Sequence, residues 1–268
     1  MNDVFAGFAP IIWTASLVIA LVLTLFVGLL LGMVGGGGSI VVVPILVYVV
    51  GLSATAAIAL SLPIVGLTSL AGAIAKAPRG EVHWRSLLIF GISGAVGAIL
   101  GARLTKLVPQ PLLLILFALL LLVVGLKMWR GDGGQTSTNN ECHTGRCAIA
   151  GWIVGVLTGF LGVGGGFLLV PALNRYANQS MKIATGTSLA IISLNSAAGF
   201  VGHIGEVFQL LPLAALLIAM ALLGLWGGLR LADRVPAHIL KKSFAGVALT
   251  VAAYLAFANL PAAIKLLY

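Results

Sequence analysis

GLLLGMVGGGGSIVVVP, from Gly28 to Pro44, and GVLTGFLGVGGGFLLVP, from Gly155 to Pro171, are one segment written twice, 127 residues apart. Gly32 falls on Gly159, Gly35 on Gly162, Gly37 on Gly164, Gly38 on Gly165 and Pro44 on Pro171. In each copy a glycine cluster interrupts apolar sequence. Glycine runs weaken a helix and expose its backbone polar groups, so packing alone is a poor explanation for them.

Outward from these segments the chain is 60% hydrophobic and only 8% charged, whereas a soluble domain carries roughly a quarter charged residues. Apolar stretches fall at 11–33, 39–51, 54–76, 85–104 and 110–130, and again at 148–161, 167–177, 183–204, 207–232 and 243–260. Several reach the ~20 residues needed to cross a hydrocarbon core. The expected fold class is an all-α polytopic membrane protein. The alternating short segments of a β-barrel are missing. MNDVFAGFAP lacks a basic n-region and a small-residue cleavage site, which predicts no removable signal peptide.

The duplication extends well past the glycines. Ala59-Leu60-Ser61-Leu62 matches Gly186-Thr187-Ser188-Leu189, Ser69 matches Ser196, and Gly101-Ala102-Arg103-Leu104 matches Gly228-Leu229-Arg230-Leu231. The expected organisation is a first membrane repeat at 1–130, a polar linker at 131–147 and a second membrane repeat at 148–268. Many transporters are built from such repeats.

Basic residues predict their relative orientation. The loop after 54–76 carries Lys76, Arg79 and Arg85, while its second-half counterpart carries none. The next loop reverses the bias, with Arg103 and Lys106 in the first half against Arg230, Arg234, Lys241 and Lys242 in the second. Opposite bias predicts inverted repeats. With 11–33 and 39–51 entering and returning on one side, twelve of the fifteen Lys and Arg residues lie inside. The termini are then outside and the 131–147 loop is cytoplasmic. The returning pieces, 39–51 and 167–177, have 13 and 11 residues. At ~1.5 Å per residue they are too short to span. The glycines therefore mark the tips of re-entrant or broken helix pairs, where irregular backbone must face protein or a water-filled cavity.

Two tips, Gly35-Gly36-Gly37-Gly38-Ser39 and Gly162-Val163-Gly164-Gly165-Gly166, each precede a short helix. Close backbone approach and free helix N-terminal N–H groups suit an anion. A polar stripe accompanies them: Ser61, Thr68 and Ser69 share one helical face, and Thr187, Ser188, Asn195 and Ser196 lie on the repeat mate. These side chains would complete an oxyanion site or bond helix to helix. Lys76 aligns with His203, and Glu81 with Glu206. They are candidates for proton coupling or for attracting an anion, or else interfacial charges. Arg103 and Arg230 are read as anchors at helix C-termini.

Cys142 and Cys147 share one polar loop. The pair is read as reduced thiols in a cytosolic connector. A metal site with His143 and a redox or sulfur-transfer role are the other readings. No Ser-His-Asp set, HExxH or acidic metal cluster is present, so no catalytic residue, metal or cofactor is expected. Six acidic residues in the whole chain argue against divalent-cation transport.

The GxxGxGGG-type segment from Gly159 to Gly166 followed by Pro171, its first-half copy, the Gly186-Thr187-Ser188-Leu189 segment and the Gly-x-Arg-Leu ends at Arg103 and Arg230 resemble the TauE/SafE sulfite-exporter family. The resemblance covers nearly the whole chain. It implies a multi-pass permease of the bacterial inner membrane for sulfur-containing anions such as sulfite or organosulfonates. The expected function is a secondary transporter, exporting by alternating access around the two tips. An anion channel of the same architecture, or a membrane sulfur-handling enzyme using the cysteines, are the alternatives. The expected partners are a small anion, the bilayer, H+ or Na+ as a coupling ion and, as an option, a second copy in a homodimer, with no nucleic acid.

Overall fold

The computed structural model describes residues 15–36, 38–105, 107–129, 144–161, 166–177, 179–201, 210–232, 242, 245–246 and 248–259. Among them every regular element is helical. Helix α1 spans Ala15–Val34 and ends at the first glycine cluster. Helix α2, Ser39–Pro44, passes without a break into a π-helical turn, Ile45–Val49. Helix α3 is Ala54–Lys76, with Ser53 as N-cap accepting from the Ala56 N–H at 3.3 Å. A 3-10 turn, Ala77–Arg79, leads to α4, Trp84–Thr105, and α5, Gln110–Trp129.

The second half follows with α6, Thr144–Leu161, α7, Gly166–Tyr176, α8, Met181–Val201, and α9, Leu211–Ala232. A last helix, α10, covers Ala248–Asn259. Among the described residues, five helices are long and apolar enough to cross a membrane: α1, α3 with its 3-10 turn, α4, α8 and α9. The returning pieces are short, as their sequence length predicts: Ser39–Val49 and Gly166–Tyr176. Periodicity did not announce the π turn. Pro44 has no N–H to donate, and beyond it the Val50 N–H bonds to the Ile45 carbonyl at 3.1 Å, one residue further back than an α-helix would place it.

Helices of opposite halves pack together. Helix α1 lies on α9, α6 lies on α4, and α3 crosses α8. The first two seams are made of glycine against backbone. A Cβ at Gly32 would stand 2.6 Å from the Leu225 carbonyl oxygen, and Gly28 and Gly155 sit directly on Ala221 and Gly94. A shift of 127, added on one side and subtracted on the other, turns one seam into the other: Gly28 on Ala221 answers to Gly155 against Gly94, and Gly32 on Leu225 to Gly159 against Ala98. In lipid the hydrophobic drive between helices is weak, so small residues supply contact by letting backbones approach. Leu88, Ile92 and Val96 on one face of α4 point outward, as lipid-facing residues do, while Phe90 is fully buried.

One expectation is corrected. Cys147 is fully buried at the start of α6 and held in a disulfide, not reduced. The one other cysteine in the chain is Cys142, which lies outside the described residues. A compartment inferred from loop charge says nothing about which thiols the local fold brings together.

Candidate functional site

The first tip is built where α1 ends. The Gly35 N–H still bonds to the Leu31 carbonyl at 2.8 Å, and then the chain turns through φ +74° at Gly35 and +147° at Gly36. Only glycine takes such angles without strain. The Ser39 hydroxyl folds back onto the Gly36 carbonyl at 2.8 Å and starts α2. A Cβ at Gly38 would come within 3.0 Å of the Leu31 nitrogen, so α2 is pressed against α1.

The two tips touch. Ideal Cβ atoms at Gly36 would lie 2.6 Å from the Gly166 Cα, and at Gly166 2.5 Å from the Gly36 Cα. Of the second tip, Gly166 is described; Gly162, Gly164 and Gly165 lie outside the described residues, as does Gly37 of the first. The approach to the second tip is nonetheless fixed, because the Thr105 hydroxyl of α4 donates to the Phe160 carbonyl at 2.9 Å.

Helix α8 forms the wall beside the tips. Thr185 rests on Gly35, whose missing Cβ would otherwise meet the Thr185 carbonyl oxygen at 2.6 Å. The Ser188 hydroxyl lies against the carbonyls of Gly35 and, at 2.8 Å, Thr185. Ile192 reaches Gly166. The polar stripe is entirely buried, and the structure divides it. Ser61 donates to Ile58 at 2.7 Å and Thr68 to Ile64 at 2.6 Å, both ordinary bonds back along the helix. Ser39 and Ser188 likewise give their protons to tip carbonyls, so in this state they shape the tip rather than offer a donor to a ligand.

Ser69, Asn195 and Ser196 are different. The Ser69 and Ser196 hydroxyls and both polar atoms of the Asn195 amide have no hydrogen-bond partner among the described residues. Each such atom costs about 1–3 kcal/mol when buried. The Asn195 amide lies flat on Gly94 of α4, where a Cβ would stand 2.6 Å from its Oδ1. Ser196 packs on Gly66, and Leu189 packs on Gly72. Ser69, midway between Gly66 and Gly72, therefore falls at the level of Ile192 and of the tip contact. Along α8, Asn195 and Ser196 lie about one turn beyond Ile192, whose side chain reaches Gly166 of the second tip.

A second polar group, missed from sequence, meets α8 at Thr187, in the turn that also carries Thr185 and Ser188. The His83 N–H donates to the Thr187 hydroxyl at 2.9 Å, and His83 Nδ1 faces the Ser86 hydroxyl at 3.0 Å. The Gln179 amide donates to Ser86 at 2.7 Å, leaving its own Oε1 unpartnered and buried. Residues 83–86 and 179 are too far apart in the chain for any local pattern to join them. Lys76 and Glu81 form an ion pair of 2.6 Å with side chains only 8% and 14% exposed. Their repeat mates, His203 and Glu206, lie outside the described residues. Arg103 and Arg230 are exposed in the last turns of α4 and α9.

Set against known proteins, the chain matches the family model described as sulfite exporter TauE/SafE over residues 20–255. The chain belongs to the TauE/SafE family. Its relatives carry the same kind of name. It is 36% identical over 238 residues to a probable membrane transporter protein of Xylella fastidiosa strain Temecula1, covering 85% of this chain and 90% of that protein. It is 27% identical over 230 residues to the probable membrane transporter protein YdhB of Bacillus subtilis, covering 83% and 94%. A probable membrane transporter protein of Methanocaldococcus jannaschii is 24% identical over 192 residues, covering 68% and 72%. No solved structure matches significantly. Family, names and apolar helices agree that this TauE/SafE chain is a membrane transporter protein.

Proposed function

We propose that the protein is a secondary transporter of small sulfur-containing anions, such as sulfite or organosulfonates, and that it exports them by alternating access around the two tips. The observation that carries this reading is the contact of Gly36 with Gly166 beside four buried, unpartnered polar atoms. A stable core does not leave such groups unsatisfied without a use for them. The Asn195 amide supplies an unpartnered donor for an oxyanion, and in the proposed mechanism the glycine tips add backbone N–H groups. Serine hydroxyls can turn to donate or accept as the substrate requires.

The seams that exchange partners under a shift of 127 residues support two repeats related by a two-fold, at 1–130 and 148–268. The charge bias supports inverting one against the other, with the termini outside the bacterial inner membrane and the 131–147 loop inside. An anion leaving a negative-inside cell gains about 2.3 kcal/mol per charge per 100 mV, which is enough to drive export without ATP. Coupling to H+ or Na+ through Lys76, Glu81, His203 or Glu206 would serve transport against that field. A homodimer is compatible with this scheme but not required by it.

Reconstituted into liposomes, the protein is expected to give saturable sulfite flux that taurine or another short sulfonate competes away. Conductive, non-saturating flux would instead indicate an anion channel on the same tips. Loss of flux in the Cys142→Ser/Cys147→Ser variant would revive the sulfur-handling enzyme; we expect that variant to keep at least about half of the wild-type rate. The disulfide at Cys147 pulls against a cytoplasmic loop, because cytosolic thiols are kept reduced. After mild reduction, an impermeant maleimide is expected to label Cys142 of the linker in inside-out vesicles, while Cys147 stays buried. Labelling in right-side-out vesicles alone would reverse the topology.

A further inference from the structure

Among the described residues Glu81 is the sole carboxylate, and it is spent on Lys76. Lys76 ends α3 with 8% of its side chain exposed, in a chain whose helices sit in lipid. A buried ammonium in that setting needs a counter-charge at all times. The place where it finds one is specific. The Glu81 backbone packs on Gly186, where an added Cβ would stand 3.0 Å from the Glu81 carbonyl carbon. The next residue of α8, Thr187, takes the His83 N–H. The residues on either side, Thr185 and Ser188, hold Gly35 of the first tip. One turn of α8 therefore carries the ion pair on one flank and the candidate substrate tip on the other.

We propose that Lys76 is the counter-charge of the transported anion, and that Glu81 is its stand-in when no anion is bound. The inference rests on the transport reading above. A carboxylate, a sulfite and a sulfonate all present oxygens that share a negative charge. An ammonium binds each of them as a point charge with little demand on geometry, so it can change partners where an arginine fork would resist. The connection bearing Glu81 keeps its backbone on Gly186 and Thr187, so only the Glu81 side chain has to move. The connection begins at Gly80, which is left-handed at φ +70° and has nothing within 4 Å of where a Cβ would be. The other charged or titratable groups nearby are basic: Arg79, His83 and Arg85 on the same connection, and Lys182 one turn below Gly186. All four are exposed. None competes with an anion for Lys76.

An anion arriving at the tip displaces Glu81 to water. When the anion leaves, Glu81 returns and neutralises Lys76, so the empty carrier can reorient without an unpaired buried charge. Glu81 then sets whether the protein performs net transport or only exchange.

Liposomes loaded with radiolabelled sulfite test this. Wild type is expected to show both net efflux into sulfite-free buffer and exchange against external sulfite. Glu81→Gln is expected to keep exchange within about twofold while net efflux falls at least about tenfold, and to bind sulfite more tightly. Lys76→Met is expected to lose both modes. If Glu81→Gln does not assemble, Glu81→Asp, which keeps the charge but shortens the reach, is expected to lose net efflux more than exchange. Parallel loss of both modes in either glutamate variant, or no change in either mode, would overturn the proposal and leave the pair a structural pin. A wild-type protein silent in both modes, with sulfite and with taurine, overturns the transport reading itself.

Discussion

Gly36→Ala is expected to lower sulfite flux at least about a hundredfold while the protein still assembles in the membrane. Two penalties coincide at this position. A side chain at φ +147° costs about 1–3 kcal/mol in backbone strain. The same methyl would stand 2.6 Å from the Gly166 backbone, an overlap that forces the tips apart and costs about as much again. Assembly survives because α1 and α7 are held by contacts away from the tips: α1 on α9, and α7 on α8. Gly51→Ala is the matched control. It too has a left-handed backbone, at φ +84°, but nothing lies within 4 Å of the added carbon. It should lose stability to strain and keep its flux. Flux in Gly36→Ala above half the wild-type value would mean that the tip contact is incidental.

Asn195→Leu should do two things that seldom go together: stabilise the protein and silence it. The amide has two orphaned polar atoms in a fully buried position, and leucine keeps the number and branching of its side-chain heavy atoms while being somewhat larger. Removing them relieves a desolvation cost of about 1–3 kcal/mol, which raises Tm by roughly 2–4 °C per kcal/mol in a chain of this size. Sulfite flux is expected to fall at least about tenfold, because the amide offers both a donor and an acceptor that no described group occupies. A thermal melt in detergent and a flux assay on one preparation read both effects. A lowered Tm with unchanged flux would make Asn195 a packing residue.

Much of this could be read before any coordinates existed, for identifiable reasons. Caps and turn residues punctuate a helix through local backbone chemistry, so α3 begins at Ala54 after the Ser53 cap and ends at Lys76 before Ala77-Pro78, as its apolar run does. Burial of Ser69, Asn195 and Ser196 followed from their shared face. Whether a buried hydroxyl is satisfied did not follow, because that depends on neighbours from other helices: Ser188 finds a tip carbonyl and Ser196 finds none. The π turn escaped notice because hydrogen-bond register leaves no mark on hydropathy. The His83, Ser86 and Gln179 group escaped because it exists only once α4 and the start of α8 are brought together.

The glycine seams also have a mechanical meaning. Where Gly28 meets Ala221 and Gly155 meets Gly94, backbone bears on backbone with no layer of side chains between. Rotamers can give way under load; a peptide plane against a peptide plane cannot. Each seam is therefore a stiff plate with one layer from either half of the chain. Compliance is left to the parts that lack such backing: the π-wound stretch after Pro44 and the Gly80 bend. Motion imposed anywhere on the plates concentrates at those joints, one of which leads into the connection that packs on α8.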